Sequence, residues 1–204
     1  MNITDIQAAV IGYADRYDAE VANNFSTWVP IVEGRINNVL NTRFNLKDAV
    51  IPIITSSQEF TLPLDVLFLT QVVLWQNSAE AVLQYTTEEI LIALSNANSL
   101  RPFYTVTNSA IRIGLAVLGD GSEELRLRYQ QVVPPLLAVN ENWLSKANPE
   151  VYVFGLLVEL SAFVKDAEAA SAWDARFKEA LDNIENTDWM VQWAGKTTLI
   201  QRLG

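Results

Sequence analysis

The chain has 204 residues, half of them hydrophobic and 19% charged, and 24 acidic against 14 basic side chains give a formal net charge of −10. It contains neither Cys nor His, which excludes disulfides, zinc sites built on those ligands and every nucleophilic scheme that needs an imidazole base. The composition is that of an ordered globular protein. The acidic balance argues against sequence-specific DNA binding, which neutralises phosphates with Lys and Arg.

From about Thr4 to Asp48 the pattern is helical. Thr4 or Asp5 can cap a first helix whose apolar face carries Ile6, Ala9, Val10, Tyr13 and Tyr17. After Asn23 and Asn24, a second helix carries Trp28, Ile31, Val32, Ile36, Val39 and Leu40. Pro30 suits a first turn, so this helix is expected to start near Ser26 or Thr27.

Between about Ala49 and Asn140 the period changes. Val50 to Ile54, Ser56-Ser57 and Phe60 to Leu62 read as a hairpin, and Val66 to Trp75 as a buried strand. Glu88 to about Ser95 reads as a short helix opened by Thr86-Thr87-Glu88-Glu89. A second hairpin follows, Phe103 to Thr107 and Ile111 to Ala116, with its turn at Asn108-Ser109. In Leu125 to Val132, Leu125, Leu127 and Tyr129 alternate with Arg126, Arg128 and Gln130, which predicts a strand with one face inward.

The last zone opens with Asn148-Pro149, a cap signal with Pro at the first helical position. The apolar run Val151 to Val164 contains Glu159 and is too short to span a bilayer. A Lys165-Asp166 break separates it from an amphipathic helix carrying Trp173, Phe177, Leu181 and Ile184. The start, Met1 to Gln7, lacks the basic and apolar blocks of a signal peptide, so synthesis and retention in a cytoplasm, or in something assembled there, are expected.

Few residues suggest chemistry. Gly195-Lys196-Thr197 resembles the end of a phosphate loop, but Met190 stands where that motif needs glycine. The bland reading is a helix end at Gly195 and an extended arm beyond it. Glu88-Glu89, Glu123-Glu124 and Glu33 are the acids considered for acid–base work, with solvated surface or an ion pair as the simpler account. Trp173 reads as core. Trp189 and Trp193, followed by Lys196, Leu199, Ile200, Arg202 and Leu203 with no acid among them, read as a partner interface.

The ordered set Ile3-Thr-Asp-Ile-Gln7, Ala14-Asp-Arg16, Ile31-Val-Glu-Gly-Arg-Ile-Asn37 with Thr42-Arg43, Leu125-Arg-Leu-Arg-Tyr129, Asn142-Trp-Leu144, Pro149 to Gly155, Val164-Lys-Asp166 and Trp173 to Phe177 resembles the head-to-tail adaptor (connector) proteins of short-tailed bacteriophages, over nearly all of residues 3 to 185. The resemblance implies a structural virion protein, assembled in the host cytoplasm and located at the head–tail junction. Twelve copies would form a ring beneath the portal protein, extend the channel for passing double-stranded DNA, and give tail nozzle and tail fibre proteins a platform. It implies no catalytic residues, cofactor or metal. A C-terminal extension reaching the portal or a neighbouring subunit is a further implication.

The expected fold is α+β and mainly helical, a helical bundle formed by both chain ends with a β-rich, hairpin-containing insertion. The segments expected are 1–48 and 141–194 in the bundle, 49–140 in the β-rich subdomain, and 195–204 as an arm. Two other functional readings stand beside the adaptor. One is a carboxylate-dependent cell-wall glycan hydrolase associated with a phage tail, which would need two facing acids about 5 to 9.5 Å apart. The other is a cytoplasmic binding module with no ring.

Overall fold

In a computed structural model of the chain, residues 1–54, 56–76, 78–96, 102–117, 119 and 121–200 are described, without the side chains of 95, 96 and 191–200. The chain divides into two compact units, Met1–Phe44 with Val133–Gly204, and Asn45–Val132.

In the first unit, α1 (Ile3–Ala14) starts earlier than expected, with its cap two residues before Thr4 and three before Asp5. Asn2 is the cap: its Oδ1 accepts the Asp5 N–H at 2.9 Å, and the Asp5 carboxylate takes the Asn2 N–H at 3.3 Å. The apolar face buries Ile6 and Val10, whereas Tyr13 and Tyr17 stay exposed.

The helix α2 (Ala19–Val39) runs through Asn23, Asn24 and Pro30, where a later start was expected. A proline inside a helix costs about 3 kcal/mol. Burial of Val21, Phe25, Trp28, Val29, Val32 and Ile36 offsets that cost, since a buried side chain of this class contributes about 1.5–3 kcal/mol. Tertiary burial overrides the local signal.

Short helices α4 (Leu136–Val139) and α5 (Trp143–Ala147) lead into α6 (Pro149–Phe163) and α7 (Ala167–Ile200). Asn148 flanks α6 but makes no side-chain cap bond; Pro149 sits in the first turn as expected. The break between α6 and α7 is built from Lys165 in the left-handed region (φ 63°) and from Asp166, whose Oδ1 accepts the Ala169 N–H at 3.0 Å. One core joins the two chain ends: Ile6 and Val10 of α1, Val32 and Ile36 of α2, Tyr152 and Leu156 of α6, and Phe177 and Ile184 of α7 all belong to it.

The second unit overturns the expectation of a mainly helical bundle carrying a β insertion. Strand makes up 26% of the protein against 51% helix. Among the described residues seven strands form one mixed sheet with a core of its own. These are β1 (Leu46–Ile53), β2 (Glu59–Thr61), β3 (Val66–Gln76), β4 (Ala79–Tyr85), β5 (Phe103–Thr107), β6 (Ala110–Ile113) and β7 (Glu123–Gln131), in the order β1-β7-β3-β4-β5-β6-β2. The helix α3 (Glu88–Asn96) lies between β4 and β5 in sequence.

The hairpin read across Ser56-Ser57 does not form. β1 instead pairs antiparallel with β7, from Leu46 opposite Gln130 to Ile53 opposite Glu123, and β2 pairs with β6. The hairpin at Asn108-Ser109 does form, with Thr107 opposite Ala110. On β7 the alternation holds from Leu125 to Tyr129: Leu125, Leu127 and Tyr129 are buried, while Arg128 pairs with Asp48 and Arg126 with Glu80 and Glu124 on the other face. It ends at Gln130, which is buried where an outward side chain was expected.

Candidate interaction surfaces

Three of the carboxylates considered for acid–base work are tied into the fold. Glu33 is buried on α2, and its Oε1 accepts the Leu136 N–H at 2.6 Å and the Tyr152 hydroxyl at 3.4 Å. Burial pushes its pKa above the ordinary 4.5, and the two hydrogen bonds oppose that shift only in part. Burial also raises the Tyr152 phenol, which accepts from Asn142 Nδ2 at 2.8 Å. Glu123 is fully buried and accepts from Gln76 Nε2 and the Gly119 N–H. Glu124 is held by Arg126, and Glu88 and Glu89 lie exposed in the first turn of α3. Glu33, Glu123 and Glu124 are thus engaged in structural bonds. Among the described residues, no group of three or more Asp and Glu side chains could hold a metal ion, and no helix is long and apolar enough to cross a membrane.

Of the residues read as a partner interface, Trp189 is exposed on α7 beside the exposed Met190. Trp193, Lys196, Leu199 and Ile200 lie on the helical backbone of the same element, beyond the described side chains, and Arg202 and Leu203 lie outside the described residues. The backbone of α7 continues through Gly195 to Ile200, so the helix end read at Gly195 is not there. A glycine within a helix costs only about 1 kcal/mol, which a long helix absorbs.

Immediately before Trp189, the sequence reading missed a second feature. The nearly buried Asp188 accepts the Arg43 Nε–H at 2.6 Å and the Arg43 backbone N–H at 3.2 Å. This fastens the segment after α2 to α7. Phe44, itself 59% exposed, stacks on Trp143 with ring centroids 5.4 Å apart. These groups rim a hollow of about 340 Å³ reaching Asn183 and Ile184. The only sequence signal for it was Thr42-Arg43, which carries no mark of a distant acid. Asp188→Ala should lower unfolding free energy by about 1.5–3 kcal/mol, the range for a hydrogen bond to a charged group. Urea denaturation measures it, and an unchanged midpoint would mean the contact is idle.

Arg35 does a similar task higher on the same helices. Its guanidinium reaches Glu159 on α6 and Asp174 on α7, each at 3.0 Å, and lies over the Phe177 ring.

The described features are thus packing, capping and exposed apolar surface, with Glu33, Glu123 and Glu124 engaged in structural bonds. No curated protein matched the chain. The model of one family, described as SU10 adaptor protein, matches residues 1–198. The family is one of structural adaptor proteins of bacteriophages. Nearly the whole length matches, and the chain belongs to the SU10 adaptor protein family.

Proposed function

We propose that the chain is a head-to-tail adaptor whose copies, twelve in number, form a ring beneath the portal protein, extend the DNA channel and carry the tail nozzle and tail fibre proteins. The observation that carries this reading is the family match over residues 1–198. The net charge of −10 is consistent with it, because an acidic lining repels the phosphate backbone and lets a duplex slide by without sticking. A glycan hydrolase gains no support from acids engaged in capping and ion pairs.

The portal or neighbouring subunit is assigned to the end of α7, at Trp189, Trp193, Lys196, Leu199 and Ile200, and to Arg202 and Leu203, which follow it in sequence. Trp189 is exposed there, and residues 189 to 204 hold two basic and no acidic side chains in an otherwise acidic chain. Trp and Arg are the side chains that most often dominate an interface.

Mass measurement of the protein alone and mixed with its portal tests the assembly. The expected result is a small species alone and a ring on the portal; no association at any ratio would overturn the reading. Cutting the chain after Trp193 should leave its melting temperature nearly unchanged. It should weaken portal association by more than about tenfold, the equivalent of losing one or two strong anchors. A truncated protein that docks at full strength moves the interface elsewhere on the helical unit.

A further inference from the structure

The seven-stranded sheet forks. β3 pairs with β7 along nearly its whole length, but with β4 only from Val72 opposite Leu83 to Gln76 opposite Ala79. Beyond that point Gln84 and Tyr85 of β4 pair in parallel with Phe103 and Tyr104 of β5. Register shifts in the β3–β7 ladder fall between Val66 and Phe68 and between Leu69 and Gln71. Such bulges bend a strand away from its neighbour. Among the described residues, Val66–Gln71 therefore has no strand on its β4 side, and its backbone forms an open inner edge.

The fork is apolar. It holds a hollow of about 510 Å³ lined by Leu64, Leu67, Phe68, Tyr85, Tyr104 and Val106 among others, and no lining residue is charged. Leu64 beside it is 98% exposed, Tyr85 64% and Phe68 42%. The Tyr85 and Tyr104 rings meet edge to face at 5.7 Å.

We propose that this fork is a docking groove for an extended, uncharged segment of a partner protein, apolar at alternate positions. The segment adds as a strand to the open edge of β3 and seats one aromatic or branched side chain in the hollow.

Area selects the occupant. The exposed apolar side chains around the fork amount to something on the order of 400 Å², from about 200 Å² per aromatic ring and less per aliphatic. A stable interface between folded partners needs about 800 Å² from each. The patch is too small for a second folded copy to hold by itself. Strand addition draws affinity from main-chain hydrogen bonds and specificity from a side-chain pocket, so it needs less area. An open edge of six residues beside an uncharged hollow matches that mode. It excludes charged anchors, which would be buried without a counter-ion.

The test uses the whole protein and a library of random displayed peptides. Selected sequences should alternate apolar and polar residues and carry an uncharged aromatic or branched anchor. On binding, amide resonances of Val66 to Gln71 should shift most. N-methylation of alternate peptide amides, or either of Leu64→Asp and Tyr85→Glu at exposed positions, should weaken binding at least tenfold with melting unchanged. Overturning results are failure to enrich any peptide, selected peptides with helical periodicity, or binding that survives N-methylation. A concentration-dependent dimer abolished by Leu64→Asp would also overturn it, because a second copy would then be the occupant.

Discussion

Gly155→Ala should lower the melting temperature by several degrees, and Gly155→Val by considerably more. Gly155 lies within α6 where that helix meets α2 and α7. A Cβ built there would stand 2.6 Å from Val32 Cγ1 and 3.1 Å from the Phe177 ring. No real carbon contact is that short, and Val32 is itself fully buried, so the helices must part or Val32 must leave its rotamer. Overpacking of this kind costs about 1–3 kcal/mol, and the better helix propensity of alanine returns only about 0.5–1 kcal/mol. Valine adds two further methyl groups against the same neighbours. Thermal melts of the wild type, both single variants and Val32→Ala/Gly155→Ala provide the check. The double variant should recover part of the loss, because its two sites share one contact. An unchanged melting temperature in Gly155→Ala would show that this crossing has room for the added methyl group.

The second large effect is expected at Glu33, where two substitutions should behave in opposite ways. Glu33→Ala removes the acceptor of the Leu136 N–H and of the Tyr152 hydroxyl, with only 7% of the residue exposed. Each abandoned buried group costs about 1–3 kcal/mol, so a loss of roughly 2–6 kcal/mol is expected for the two. Glu33→Gln keeps an acceptor oxygen and removes the charge, so its cost should be small. The pH dependence follows from the direction of the shift. Burial raises the Glu33 pKa in the folded state above its ordinary 4.5. The folded state therefore binds this proton more tightly than the unfolded one. Glu33 contributes stability that is fully present below about the ordinary value and is lost as pH rises through the raised folded value. Relative to the wild type, Glu33→Gln should thus gain stability as pH increases across that window. Urea titrations of both proteins on either side of it measure the difference. A gap that is constant with pH would mean that burial does not control this carboxylate, and a small loss in Glu33→Ala would mean that water replaces the missing acceptor.

The acids considered for catalysis illustrate the limit of sequence reading. Glu33 and Arg35 stand two residues apart on α2, yet they serve different purposes, one capping the segment at Leu136 and the other bridging α6 and α7. Glu123 and Glu124 are adjacent, yet strand alternation buries the first and leaves the second to pair with Arg126. Asp188 drew no attention because its partner, Arg43, is 145 positions away. Nothing near either residue encodes the meeting.

What the sequence determined by itself is of two kinds. The absence of Cys and His removed whole classes of chemistry, because no fold can supply a missing side chain. The elements whose signals lie within a few residues were also legible: the β5–β6 turn at Asn108-Ser109, the alternation along β7, Pro149 in the first turn of α6, and the Lys165-Asp166 corner before α7. Each is set by backbone sterics and hydrogen bonds that close over a handful of atoms, so propensity and spacing carry them. Tertiary structure decided the rest. It ran α2 straight through Pro30, carried α7 past Gly195, and paired β1 with β7 and β2 with β6 in place of a local hairpin. It also opened the fork beside Leu64. These outcomes depend on which apolar faces can be buried together once distant segments meet, and that gain outweighs local preferences of about 1–3 kcal/mol.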